Sequence, residues 1–291
     1  MDRGTLVGRV APYGMLAPAL AFMVFIVCAA GFLVRYSFDA WSPDAGMVSG
    51  WTISSYLKFF ETRYYFRALV STVRLAAIVT VLAVVMGYPV AYLISVSSRY
   101  RNLIMVLVIV PLMTDIIVRA YGWIVLLSAG GLVNSVIVAA GLSEKPVKLI
   151  YTEWAVIAEL LHECLAFMVL PIAGVLQKIN PSLREASATL GASQWRTFRS
   201  ITLPLSLPGV LAGTLLVFAL GMSTFVGPLI LGGGNVTVMS LIIRDQMGVV
   251  LDWPLGSAMS VVLVALTLVL LFLYGRLMHP HGRLATRSDH A

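Results

Sequence analysis

Long apolar stretches separated by short polar segments run through most of the chain. A helix needs roughly 20 apolar residues to cross the hydrocarbon core of a bilayer, and each stretch is about that long. The pattern predicts an all-α, polytopic membrane protein with about six transmembrane helices. Prolines inside the stretches indicate kinks or shortened ends; they are Pro89, Pro111, Pro171 and Pro228. The stretches are Leu16 to Val34, Leu75 to Val96, Leu103 to Leu127, Ala155 to Val175, Leu205 to Leu231 and Pro254 to Tyr274.

The composition agrees with a membrane protein, because 59% of the residues are hydrophobic, 11% are charged and the mean hydropathy is +0.94. The 20 lysines and arginines exceed the 13 acidic residues. In so apolar a chain this excess indicates basic residues beside membrane ends and argues against a nucleic-acid partner. Cys28 and Cys164 each lie inside an apolar stretch, so they indicate packing residues and neither a disulfide framework nor a cysteine metal site.

The distribution of lysine and arginine predicts the orientation in the membrane. Six spans place both termini on one side, and the segments on that side carry eleven of these residues, whereas the longer segments on the other side carry seven. The positive-inside rule therefore predicts that both termini are cytoplasmic. The first external segment contains WTISSYLKFFETRYYFRAL, whose aromatic and charged residues indicate a helix at the membrane interface.

A polar insert at about residues 177–204 separates the fourth and fifth apolar stretches, and its capping residues predict two short helices. Asn180 is a suitable N-cap, and Pro181 fits the first helical position. Gly191 offers a left-handed residue that ends this helix. Ser193 then caps a second helix, which we expect to end before Pro204.

Small residues give the first of these helices a low-profile surface beside Glu185, and another protein can approach such a surface closely. From the residues alone, an ordinary amphipathic loop is the alternative interpretation. The small residues are Ala186, Ser187, Ala188 and Ala192.

The insert resembles the cytoplasmic signature of bacterial binding-protein-dependent ABC transporter permeases, in which Glu-Ala-Ala, a later glycine and Ile-x-Leu-Pro recur at fixed spacing. The resemblance implies a type I ABC importer permease, with one transmembrane permease domain over residues 1–291 and a coupling helix between helices 4 and 5. In that family the coupling helix docks onto a cytoplasmic ATPase, where the glutamate pairs with a basic residue. Ser187 replaces the usual second alanine. The matching residues are Glu185, Ala186, Gly191, Ile201, Leu203 and Pro204.

Further segments resemble the spermidine/putrescine-type subfamily of these permeases, in particular its first permease subunit. The resemblance implies that this chain is one half of a pore that carries a small cationic amine across the bacterial inner membrane into the cytoplasm. The substrate stays open, since the subfamily also includes importers of opines, amino-acid-like amines, phosphonates and iron complexes. The segments are MGYPVAYLI, PLMTDIIVRAYGW, GLVNSVI and DWPLGSAMS.

The same resemblance implies the partners of the chain in the lipid bilayer. They are a second, different permease chain, a cytoplasmic ATPase dimer that binds ATP and Mg²⁺, and an extracytoplasmic substrate-binding protein. No cofactor is expected in this chain itself.

Three carboxylates fall within the predicted spans, where an ionisable group is costly unless it faces a cavity or a partner. Asp115 lies near the middle of the third span, and Glu159 and Glu163 lie one turn apart in the fourth. Together they predict a path that favours a cationic substrate. The aromatic residues that can add a face for an ammonium group are Tyr121, Trp123 and Trp154.

A structural interpretation of these carboxylates is the alternative. Arg119 then neutralises Asp115 four residues earlier on the same helix, and the two glutamates join interhelical hydrogen bonds. His162 is expected to pack or to hydrogen-bond rather than to relay protons. A different class of function also stays open, an autonomous secondary transporter that uses the three carboxylates as ion or proton sites, although we find no inverted repeat.

Two short motifs resemble enzyme signatures but lack essential residues. HECLA begins like a zinc-protease motif, yet Ala166 stands where the second histidine is needed. The GGGN stretch, residues 232–235, lacks the lysine and hydroxyl residue of a phosphate-binding loop and predicts a turn. We therefore predict no catalytic residue and no metal site, and we expect a partner ATPase to supply the energy.

Overall fold

The computed structural model describes residues 3–278 apart from residues 45 and 98 and, with the same exceptions, the side chains from residue 18 to residue 276. This part of the chain is helical almost throughout, with a short antiparallel hairpin. The helices are α1 Arg3–Tyr36, α2 Ser54–Glu61, α3 Arg63–Val96, α4 Arg101–Met113, α5 Ile116–Leu127, α6 Leu132–Ala139, α7 Glu153–Leu176, α8 Pro181–Thr189, α9 Gln194–Thr197, α10 Leu203–Ser223, α11 Val226–Leu231, α12 Met239–Asp245 and α13 Trp253–Met278. The strands are β1 Ala40–Ser42 and β2 Gly46–Val48, and π-helical turns occupy Phe198–Thr202 and Gln246–Val250.

Within the described residues, six helical segments are long and apolar enough to span a membrane. This confirms the predicted all-α architecture with about six spans. The segments are Pro18–Tyr36, Arg63–Val96, Ile116–Ala139, Glu153–Leu176, Gln194–Ser223 and Trp253–Arg276.

The third apolar stretch does not form one helix, contrary to the prediction. Helix α4 ends at Met113 and is followed by Thr114, which is extended, and Asp115 is the N-cap of α5. The Asp115 carboxylate accepts two backbone N–H bonds from the first turn of α5, at 2.8 and 3.3 Å, and so replaces the partners that a continuous helix would supply. The span in this region is consequently Ile116–Ala139 rather than Leu103–Leu127.

The fifth apolar stretch also differs from the prediction at both ends. Helix α10 stops at Ser223, and α11 begins separately. At the other end, the helix that Ser193 caps continues through a π-helical turn into α10 and does not end before Pro204. The Leu203 N–H bonds to the Phe198 carbonyl five residues earlier, and this wider turn carries the helix past the proline, which has no N–H to donate.

The chain forms two compact units. Among the described residues, the first comprises residues 3–66 together with Ile242–Val264, and the second comprises Arg67–Leu241 and residues 265–278.

The second unit is built around α7, which packs along α10 and also contacts α4, α5 and α11. Gly209 and Gly213, four residues apart on α10, face α7. A Cβ atom added at Gly209 would lie 2.8 Å from the Pro171 carbonyl oxygen, and one added at Gly213 would lie 2.8 Å from the Met168 sulfur. Glycine at both positions therefore allows the two backbones to approach closely, as in other membrane helix pairs.

In the first unit, hydrogen bonds to the Asp39 side chain hold the segment that follows α1 in place. Its carboxylate accepts a hydrogen bond from Arg35 Nη1 at 2.7 Å and one from the Gly50 N–H at 2.9 Å. These bonds hold the pKa of Asp39 below its ordinary value of 3.8, with the backbone bond as the larger cause. The Arg35 guanidinium also lies over the Trp51 ring, 4.6 Å from its centroid.

A second anchor in this unit joins α2 to the segment before α13. Lys58 Nζ pairs with Asp252 Oδ2 at 3.0 Å, and the other oxygen of the buried Asp252 accepts the Leu255 N–H. The Trp41 indole donates to the Leu251 carbonyl at 3.1 Å, while Leu251 itself has a left-handed φ of 62°. The stretch that was predicted to be external contains a helix, Ser54–Glu61, while its side of the membrane and its position at the interface stay predictions.

Asp39→Asn should loosen the segment that contains the hairpin. Because folding lowers its pKa, the ionised Asp39 stabilises the segment above the ordinary aspartate range, and this stabilisation is lost as the pH falls through that range and the lowered pKa. We expect the variant to reduce the hydrogen-exchange protection factors of residues 40–50 at pH 7 and to remove their decline at acidic pH.

The exposed Asp44 gives a matched control, since Asp44→Asn changes the same group in the same segment. Its protection factors should equal those of the original chain. Equal protection in the Asp39→Asn variant would show that this carboxylate does not hold the segment.

Candidate functional site

The polar insert forms the short helix that its capping residues predict. Asn180 caps α8 by accepting the Ser182 N–H at 3.0 Å, with Pro181 in the first position. At the other end Gly191 has a φ of 78°, which confirms the predicted left-handed stop. Its N–H bonds to the Ala188 carbonyl at 2.9 Å.

The end of α8 is a Schellman motif, because the next N–H also bonds backward. The Ala192 N–H reaches the Ser187 carbonyl at 3.1 Å. Ser193 then caps α9 by accepting the Arg196 N–H at 3.3 Å. A hydrogen bond of 2.8 Å between the hydroxyls of Ser187 and Thr197 fixes α8 against α9. The serine at position 187 thus makes a hydrogen bond that alanine could not make.

An aromatic cluster joins the insert to α3. The Phe198 ring contacts Tyr88 and Tyr92 edge-on, each at 5.8 Å between ring centroids, and Trp195 stacks on it at 5.6 Å. The Arg184 guanidinium lies over the Tyr92 ring at 5.7 Å. Sequence reasoning did not identify this cluster, because its rings come from elements about 100 residues apart.

The residues of the family signature occupy different environments. Glu185 and Ala186 are exposed, and the Glu185 carboxylate has no ion pair with any residue that the structure describes. Ile201 and Leu203 are half-buried, and Pro204 is exposed. Leu190, the C-cap of α8, is 87% exposed, so the insert also presents an apolar side chain at its surface.

A charge cluster lies between α5 and α7, inside the predicted spans. Arg119 Nη2 pairs with Glu163 Oε2 at 3.0 Å, and Arg119 Nε lies 3.6 Å from Glu159 Oε1. Arg119 Nη1 donates to the Pro111 carbonyl at 3.0 Å, at the end of α4. The guanidinium therefore contacts three helices, and one of its partners is a carbonyl beside the break between α4 and α5.

This arrangement corrects the expected pairing of the carboxylates. Asp115 is exposed and caps α5, whereas Arg119 turns to the glutamates of α7. The expectation that Arg119 neutralises Asp115 is therefore wrong, because Arg119 is instead the interhelical partner of the two glutamates. The local i,i+4 argument failed because the helix begins at Asp115, whose oxygen is engaged by backbone N–H groups.

The two glutamates of the cluster differ in burial and in hydrogen bonding. Glu159 is 1% exposed, and neither of its carboxylate oxygens accepts a hydrogen bond from the described residues. Glu163 keeps 24% of its side-chain surface exposed and receives the close contact from Arg119. Gly227 of α11 packs so closely on Glu159 Oε2 that an added Cβ would collide with it.

The aromatic residues that were predicted to contact an ammonium group differ in their surroundings. Trp123 packs edge-on against His162 at 6.0 Å, which confirms a packing contact for this histidine beside Glu163. Tyr121 and Trp154 are exposed. The prediction that these aromatic residues and Asp115 line a substrate path is not tested by the structure.

The GGGN stretch forms a turn, as predicted. Gly233 and Gly234 have φ values of 53° and 80°, and the Asn235 side chain donates to the Tyr151 carbonyl at 3.0 Å.

Comparison with known proteins identifies the family. A model described as the binding-protein-dependent transport system inner membrane component matches residues 80–279. The chain belongs to this family. The resemblance read from the insert is thereby confirmed, the chain is a multi-pass inner membrane permease component, and an autonomous secondary transporter is not favoured.

Relatives and solved structures agree with this family. The chain is 34% identical over 226 residues to the spermidine/putrescine transport system permease protein PotB of Haemophilus influenzae, covering 77% of this chain and 79% of that protein. It is 31% identical over 264 residues to PotB of Escherichia coli, covering 90% and 96%. A crystal structure of a bacterial ABC transporter that imports the acidic polysaccharide alginate contains a chain with the same fold, at a TM-score of 0.81 and 18% identity, covering 96% of this chain and 99% of that one.

The free-energy cost of substituting Gly191 should depend on backbone strain alone, because an added Cβ meets no atom within 4 Å. A β-branched residue at this φ costs roughly 1–2 kcal/mol, while asparagine tolerates it better. We expect Gly191→Val to reduce hydrogen-exchange protection in peptides covering residues 184–197 far more than Gly191→Asn does.

Gly141 offers the matched control, since it has a φ of 70° and equally open surroundings outside the insert. Gly141→Val should leave protection of residues 184–197 unchanged. If Gly191→Val and Gly191→Asn are equally protected, the insert does not need a left-handed residue.

Proposed function

We propose that this chain is the permease subunit of an ATP-driven importer that carries polyamines, the class of spermidine and putrescine, into the cytoplasm. The observation that carries the proposal is the 34% identity to a polyamine permease over 77% of the chain. The charge cluster supports it, because one guanidinium and two carboxylates leave an excess of negative charge within a span, which suits a cationic substrate.

The proposed complex contains further chains. A second, different permease completes the pore, a cytoplasmic ATPase dimer binds ATP and Mg²⁺, and an extracytoplasmic protein delivers the substrate. The family description supports the binding protein, and a structural neighbour was crystallised with a substrate-bound periplasmic protein. In this scheme the chain has no ATPase site of its own and changes conformation when the ATPase closes.

The proposed orientation places both termini and the insert in the cytoplasm. Lysine and arginine support it, since eleven of them lie in the segments on that side and seven in longer segments on the other. The ATPase then meets the exposed surface of α8 and its C-cap, where Glu185 has no ion pair among the described residues and Leu190 is exposed.

Glu185→Ala tests this contact. Removing one partner of a buried interfacial charge pair costs about 2–5 kcal/mol of binding free energy, so the ATPase should dissociate more readily and uptake should fall. The variant should still insert into the membrane, because Glu185 is exposed on α8, outside the spans. The measurement is retention of the ATPase on the purified permease pair, together with the rate of uptake.

Glu144→Ala is the matched control, an exposed glutamate that the proposed orientation places outside the cytoplasm. It should retain the ATPase and transport normally. Full retention and full uptake in Glu185→Ala would remove the proposed contact.

Uptake by the purified complex in proteoliposomes tests the function itself. We expect radiolabelled putrescine or spermidine to accumulate only when ATP is supplied on the ATPase side and the binding protein on the other, even when the membrane potential is held at zero. A proton gradient that drives uptake without ATP would overturn the importer mechanism. ATP-dependent uptake of another solute, with no polyamine uptake, would overturn the substrate.

A further inference from the structure

The charge cluster of Arg119, Glu159 and Glu163 has more acidic than basic groups, and one of its carboxylates accepts no hydrogen bond from the described residues. It has two carboxylates and one guanidinium, and the close ion pair, at 3.0 Å, goes to the more exposed Glu163. The fully buried Glu159 accepts no hydrogen bond from the residues described. A buried carboxylate without such a partner is costly, so a state in which it is satisfied should exist.

Arg119 can supply that state with a small movement. Its Nε lies 3.6 Å from Glu159 Oε1 and makes no hydrogen bond in the described part of the chain. A shift of less than about 1 Å brings the pair to the distance of a charge-assisted hydrogen bond. The guanidinium would stay anchored meanwhile through Nη1, which donates to the Pro111 carbonyl.

A further rotation of the guanidinium about its Nη1 anchor, which carries Nη2 beyond hydrogen-bond distance of Glu163 while Nε bonds to Glu159, leaves Glu163 without its close cation. A primary ammonium fits the vacated position, because it carries one positive charge and three donors and Glu163 is accessible from the surface of the chain. Its arrival also balances the cluster, with two positive and two negative charges. The packing of Gly227 against Glu159 leaves little space for an added cation there, so Arg119 is the group that reaches Glu159.

We propose that Glu163 binds an ammonium group of the transported substrate. In the absence of substrate Arg119 pairs with Glu163, and when substrate arrives Arg119 moves to Glu159. The proposal rests on the proposed polyamine import and names the residue that recognises the cation. Glu163 contacts the substrate, whereas Glu159 acts through Arg119 as a positioning residue.

The experiment compares charge-neutral variants of the whole complex in proteoliposomes, with saturating binding protein and radiolabelled putrescine. Glu163→Gln should lower the rate of uptake roughly tenfold or more, since the ammonium loses its ionised partner, and Glu163→Asp should retain more activity than Glu163→Gln. Glu159→Gln should also slow uptake, because Arg119 then remains on Glu163.

The decisive comparison adds Arg119→Gln to each single variant. Without Arg119, Glu163 is free whether or not Glu159 is ionised, so Arg119→Gln should restore uptake to Glu159→Gln by roughly fivefold or more but should not restore it to Glu163→Gln. A purely structural ion cluster predicts a different result, in which both double variants recover or neither does. Assembly of the complex is measured in parallel by co-purification of all subunits.

Glu153→Gln provides the matched control on the same helix. Glu153 pairs with Arg74 at 2.7 Å outside the cluster, and its neutralisation should leave uptake unchanged. The proposal is wrong if Glu163→Gln transports putrescine at the original rate, if Glu163→Asp and Glu163→Gln are equally slow, or if rescue by Arg119→Gln is the same for both glutamates. A loss of uptake that occurs only in variants whose complex fails to assemble also contradicts the proposal.

The outcome for the original complex separates this proposal from the proposed function. If the original complex imports putrescine and the variants contradict the movement of Arg119 from Glu163 to Glu159, only that movement is wrong. If the original complex imports no polyamine, the proposed function is wrong, and the proposal for Glu163 and Arg119 is wrong as well.

Discussion

The placement of one guanidinium within a span constrains much of the second unit. An arginine in the hydrocarbon region is costly unless its charge and donors are satisfied, and Arg119 meets this need by contacting α4, α5 and α7 together. The break between α4 and α5 is part of this solution, because the Pro111 carbonyl lies in the last turn of α4, where it accepts Arg119 Nη1 as well as the Thr114 N–H. Asp115 stabilises the break from the other side by capping α5. The broken helix and the buried ion cluster are therefore one structural feature.

The same constraint shapes the contacts of α7. Glu159 and Glu163 lie one turn apart on its surface toward α5, and glycine on α11 allows close packing on Glu159. The interface between α7 and α10, in contrast, contains the closely packed Gly209 and Gly213. One helix thus combines an ionic surface, which can exchange partners, with a tightly packed surface, which resists sliding because it has few alternative arrangements.

The sequence predicted those features that depend on local interactions. Asn180, Gly191 and Ser193 act within a few residues of their own positions, and the structure has all three as expected. Hydropathy likewise predicted the number of spans, since it sums over about 20 residues. The pairing of Arg119 depends on a helix some 40 residues away, and a rule for neighbours on one helix assigned it to the wrong carboxylate. The continuous helix past Pro204 was missed because a π-helical turn has no sequence signature as strong as a cap.

The insert and the charge cluster are connected through covalent structure as well as packing. Helix α7 carries the glutamates and leads into the insert at its end, and the helical segment that leaves the insert continues without interruption into α10. Because α7 and α10 are closely packed through Gly209 and Gly213, the two ends of the insert belong to one helix pair. Phe198 adds a third connection, to Tyr88 and Tyr92 of α3. Helix α8 is joined to α7 through residues 177–180 and to α10 through α9 and the π-helical turn, so a displacement of α8 can reach both helices, and α7 carries the carboxylates that face Arg119. The coupling that we propose for the insert needs this property, because a flexible connection would absorb a displacement instead of transmitting it.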